Sequence, residues 1–126
     1  MKQETTEWVE KAEGDLKVAR RDARTDDPVW DVICFLAQQC AEKYLKAFLE
    51  EHNLAFQKTH DLIVLLNLCG ALLPELAAWR PALAALGTFA SAVRYPGVQT
   101  AQQDAEDALK TAEDVRAILR AKLGLT

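Results

Sequence analysis

The segment PVWDVICFLAQQCAEKYLKAFLEEH, from Pro28 to His52, constrains the fold more than any other part of the chain. Val29, Ile33, Leu36, Cys40, Tyr44 and Phe48 recur at spacings of three and four and share one helical face, which Trp30, Ala37, Ala41, Leu45 and Leu49 widen. Only a narrow stripe is polar: Asp31, Gln38, Gln39, Glu42, Lys43, Lys46 and Glu50. A helix this apolar is packed on several sides, so it is expected at the centre of a bundle, with the Gln38–Lys46 stripe facing solvent or a second subunit. Asp27 is placed to cap it, with Pro28 in its first turn. Glu42 and Lys46 can pair across one turn.

The remaining segments supply partners for that helix. Trp8, Ala12, Leu16, Ala19 and Ala23 form one stripe and predict a helix over about Thr6–Ala23, weakened slightly by Gly14. KTHDLIVLLNLCG predicts a third helix, with Thr59 as N-cap, Asp61 in the first turn, Leu62, Leu65 and Leu66 inward and Gly70 as the stop. LLPELAAWRPALAALGTFASAV predicts helix broken near Pro81, with Leu83, Leu86, Ala90 and Val93 on the buried side. A last helix begins near Thr100, where Thr100 and Gln103 fit a capping box, and Ala101, Ala105, Ala108, Ala112, Val115, Leu119 and Leu123 carry its apolar stripe. Strand patterning is nearly absent. The expected fold is all-α, an antiparallel up-and-down bundle of four to five helices forming a single domain over residues 1–126.

Composition narrows the function. A net charge of −4 makes the chain a poor general binder of nucleic-acid phosphates, although a small basic site is compatible with it. No apolar run is read as long enough to span a bilayer, and the polar N-terminus MKQETTEWVEKAEGD does not resemble a secretory signal; a cytoplasmic location is expected. Cys34, Cys40 and Cys69 lie in apolar segments without C-x-x-C spacing, which points to buried thiols rather than a metal or redox site. No metal or cofactor is expected, and no P-loop, G-x-G-x-x-G or Ser-His-Asp pattern occurs.

With the helices placed, WVEKAEGDLKVA, CFLAQQCAEKYLKAFL, KTHDL, RYPG and DAEDALKTAEDV follow one another in an order that resembles the HEPN family (higher eukaryotes and prokaryotes nucleotide-binding), in its small free-standing prokaryotic form. The resemblance implies a helical bundle, a homodimer, and a nucleotide-binding and interaction module that works with a small nucleotidyltransferase, in some cases as half of a toxin–antitoxin pair. It also implies a second activity, metal-independent RNA cleavage by an arginine followed four to six residues later by a histidine. Arg94 matches the arginine, but RYPGVQTAQQ contains no histidine, which argues against ribonuclease activity. A non-catalytic scaffold is the remaining alternative.

The candidate site residues follow from this. Arg94 suits a phosphate because its planar fork binds oxygens in pairs; its structural alternative is to neutralise free carbonyls at a helix end or to pair with a carboxylate. Tyr95 could stack on a base or accept a nucleotide, or it could simply pack beside the Pro96–Gly97 turn. Lys58, Thr59 and His60 open the third helix, where free N–H groups could receive an anion and His60 could supply the missing base. Their structural alternative is a capped helix start with His60 bonded to the next helix. His52, at the end of the central helix, is read as structural.

Overall fold

The computed structural model describes residues 1–126. Five α-helices are present: α1 (Gln3–Ala23), α2 (Trp30–Glu51), α3 (Leu62–Cys69), α4 (Arg80–Gly87) and α5 (Gln102–Lys122). There are no strands. α2 is central and packs against α1, α3, α4 and α5. Thr5 meets Glu51 and Asp15 meets Lys43, so α1 and α2 are antiparallel. Asp31 meets Thr100 and Tyr44 meets Arg120, so α5 runs parallel to α2. The third leg of the bundle is built from α3, α4 and 3₁₀ turns.

Most of the apolar face of α2 is buried as its spacing predicts, with Ile33, Cys40, Tyr44, Leu45 and Phe48 inaccessible or nearly so, but Val29 at its start is exposed because it lies just before the helix. Small residues on the flanking helices, Ala12 and Ala19 of α1 and Ala105, Ala108 and Ala112 of α5, let the backbones approach closely. A polar seam closes one side. Arg116 donates two bonds to the Glu13 carboxylate, at 2.6 and 2.8 Å, and Tyr44 donates its hydroxyl to the same carboxylate. The Arg116 guanidinium, more than any other group, holds Glu13 down at about 2. Burial pushes Cys34 up to about 11 and Cys40 and Cys69 up to about 12, so all three stay protonated thiols.

Several helix ends differ from expectation. α1 begins three residues before Thr6, at Gln3. α2 is capped neither by Asp27 nor by a first-turn Pro28; Asp22, reaching over from α1, accepts from the Val29 N–H at 2.7 Å. The N-cap of α3 is Asp61 rather than Thr59, because the Asp61 carboxylate accepts from both Ile63 and Val64 N–H. At α5 the Thr100 hydroxyl donates to Asp31 instead of capping, and Asp104, not Gln103, accepts from the Ala101 N–H at 2.8 Å. Gly70 stops α3 at φ +53°, as expected.

The stretch Pro74–Arg94 is long and apolar enough to cross a membrane by length and composition alone, with a mean hydropathy of 1.2. In the fold it is not one helix. A 3₁₀ turn over Pro74–Trp79, the eight residues of α4, and 3₁₀ turns at Thr88–Ala90 and Ala92–Arg94 divide it. The break falls at Trp79, and Pro81 sits in the first turn of α4, where its missing N–H is harmless.

Candidate functional site

The polar stripe of α2 does not face solvent. Gln38, Glu42 and Lys46, one helical turn apart, are all buried. A carboxylate in such a place needs several partners. Glu42 has them: Lys46 Nζ at 2.9 Å, His60 Nδ1 at 2.9 Å and Gln38 Nε2 at 3.3 Å. Gln38 also donates to the His60 carbonyl at 3.0 Å, and Lys46 lies 5.2 Å from the centre of the Trp8 ring. The chain from Asn53 to Asp61 therefore returns along α2 and is fastened to it at His60.

His60 consequently has a defined orientation. Its Nδ1 faces the Glu42 carboxylate, which can only accept, so Nδ1 carries the proton of that bond and a neutral ring keeps Nε2 as an acceptor. The side chain is 62% exposed beside a carboxylate that is 2% exposed. This differs from the structural alternative of a bond to the next helix: the partner is on the preceding one.

His60, Asp61 and Ile63 form one wall of an open cleft of about 570 Å³; Ala84, Ser91 and Arg94 belong to the other. The facing wall is made largely of small residues, and at Gly87 even an added Cβ would only just touch Leu62, at 3.9 Å. His60 and Arg94, which the sequence separates widely, thus line one cleft. Arg94 pairs with no carboxylate and caps no helix; its guanidinium carbon lies 5.1 Å from the centre of the Phe35 ring. An exposed arginine in a cleft can bind an anion, and an oriented histidine lining the same cleft can exchange a proton.

The other candidates fall elsewhere. The Asp61 carboxylate already occupies the Ile63 and Val64 N–H groups, so the anion nest expected at the start of α3 is filled by its own side chain. Thr59 accepts from the Asp61 N–H at 3.1 Å and serves the turn. Lys58 and Tyr95 are exposed and do not line the cleft. His52 ends α2 with its ring centre 4.3 Å from that of Phe48, a structural role as expected. Sequence reasoning missed Glu42 and Gln38 as site supports, and Phe35 as the platform under Arg94.

The family model described as the HEPN domain matches residues 5–122. Two solved structures share the fold. TT1696 from Thermus thermophilus superposes with a TM-score of 0.83 at 23% identity, over 96% of this chain and 99% of the other. ST0689, described as an archaeal HEPN homologue, gives a TM-score of 0.68 at 24% identity, over 96% and 98%. No curated protein matches the chain.

Proposed function

Because the chain belongs to the HEPN domain family over residues 5–122, we propose that it is a nucleotide-binding and interaction module whose phosphate site is the cleft between His60 and Arg94. The observation that carries this reading is that both residues line one cleft, neither with a competing ion pair except the Glu42 bond that orients His60. The module works as a homodimer with a separate nucleotidyltransferase, as half of a toxin–antitoxin pair; the support for these partners is the family resemblance. Tyr95, 64% exposed, is accessible as the acceptor of a transferred nucleotide. The test is a tagged pull-down from the native cell with intact-mass analysis. Recovery of a nucleotidyltransferase, or an added nucleotide mass on the chain, supports the paired module; an unmodified chain without that partner removes it.

The Glu42–His60 bond favours a second reading, metal-independent RNA cleavage. His60 Nε2 would take the proton of a ribose 2′-hydroxyl, Arg94 would hold the phosphate, and the 2′-oxygen would displace the 5′-oxygen, which leaves as a hydroxyl with a proton from water, to give a 2′,3′-cyclic phosphate. The displaced histidine would then replace the one absent after Arg94. Cyclic-phosphate ends from the native chain, abolished in His60→Ala, support it. Uncut RNA, or cutting unchanged in that variant, rejects it.

A further inference from the structure

A second depression, of about 210 Å³, opens on the other side of Arg94. Its walls are Asp31, Val32, Phe35 and Val93, and Arg94 is the residue that lines both it and the larger cleft. The two hollows differ in chemistry. The cleft presents ionic groups, whereas the depression is an apolar shelf with an exposed Val32 and the half-buried Phe35 ring. Asp31 supplies the shelf's one carboxylate. Asp31 Oδ1 accepts both the N–H and the hydroxyl of Thr100, and Oδ2 has no hydrogen-bond partner in the protein.

These features define a ligand. A guanidinium resting on an aromatic ring still offers its edge to phosphate oxygens and its outer face to a planar heterocycle. An apolar shelf beside it removes one flat surface from water, and a carboxylate oxygen at the rim takes a hydrogen bond from an amino group. We propose that the depression is a nucleobase subsite: the phosphate of a mononucleotide lies in the cleft against Arg94 and His60, its base spans Arg94 onto the Val32–Phe35 shelf, and an exocyclic amino group donates to Asp31 Oδ2. The assignment rests on the phosphate-site reading of the cleft. It adds the ligand class, a nucleotide with an amino-bearing base such as adenine.

Calorimetric titration of the full chain with ribose 5-phosphate, AMP and IMP tests it. AMP is expected to bind about tenfold more tightly than ribose 5-phosphate, the scale of one stacked base, and more tightly than IMP, which has a carbonyl in place of the amino group. Val32→Ser, checked for unchanged circular dichroism, should reduce the advantage of AMP and leave ribose 5-phosphate binding as it was, because Val32 lines the shelf but not the cleft. Asp31→Asn retains Oδ1 for Thr100 and places a donor where Oδ2 was, so it should reverse the order of AMP and IMP. Ribose 5-phosphate and AMP binding equally well, both dependent on Arg94, would overturn the subsite and leave the phosphate site standing. Preferences unchanged in both variants would overturn it too. Binding of neither ligand would remove the phosphate site and the subsite with it.

Discussion

His60 Nδ1 and Glu42 Oε1 lie 2.9 Å apart, joining the surface of the cleft to a carboxylate that is almost inaccessible. Glu42 holds a second commitment, the equally short bond to buried Lys46. The group that orients the site is therefore also half of an internal ion pair.

Glu42→Gln should destabilise the protein by about 3 kcal/mol, because it leaves the Lys46 ammonium buried without its counter-charge. Adding Lys46→Met should recover much of that loss, since the stranded charge goes with it. Urea denaturation of both single variants and the double variant checks this; a double variant as unstable as the sum of its parts would show that the pair is not coupled.

Arg94→Ala removes an exposed side chain and should change stability by about 0.5 kcal/mol or less, whereas His60→Ala also takes a hydrogen bond from buried Glu42 and should cost about 1–2 kcal/mol. Each should nevertheless abolish ribose 5-phosphate binding. Thermal melts and titrations on the same preparations separate the two effects.

Acid should weaken the fold through Glu13. Its carboxyl is held at about 2 in the native state by Arg116, below its ordinary 4.5. A lowered native pKa means that the stabilisation is complete above the unfolded value and is lost as pH falls from about 5 toward 2. Partial exposure reduces the contribution to about 1–2 kcal/mol. Unfolding midpoints measured across that range should fall less steeply in Glu13→Gln than in the native chain.

Two glycines should respond in opposite directions. Gly14 lies within α1 with open space around it, so Gly14→Ala should stabilise by about 0.5–1 kcal/mol. Gly70 adopts φ +53° and ψ −139°, a region closed to side chains, so Gly70→Ala should cost about 2 kcal/mol. Chemical denaturation of both variants reads the signs directly.

The three thiols should be unreactive toward Ellman's reagent in the native protein, since burial keeps them protonated. All should react in guanidinium. A fast native thiol would mean that one of the helices opens readily.

The bundle was legible from the sequence because apolar spacing reports directly on which side of a helix is covered. Cys40, Tyr44 and Phe48 of α2, and Ala105, Ala108 and Ala112 of α5, are buried as their spacing predicts. The caps were less so, since the groups that settle them come from other elements: Asp22 reaches α2 from the last turn of α1, and Asp31 is far from Thr100 in the chain. The site was half legible. Arg94 and His60 were named, but spacing alone says nothing about what covers a polar stripe, and Gln38, Glu42 and Lys46 look like a solvated face until the chain returning to His60 lies over them. Asp61 shows the converse: the motif that suggested an anion site contains the group that fills it.

The sharing of Glu42 between an interior pair and a surface histidine has an evolutionary consequence. Position 60 can change in one step without loss of the fold, so a lineage can silence this cleft and keep the bundle for other uses. Position 42 has no such freedom, because a drift there is tolerable only together with a change at position 46. Among descendants of this chain, the carboxylate should therefore outlast the histidine it holds.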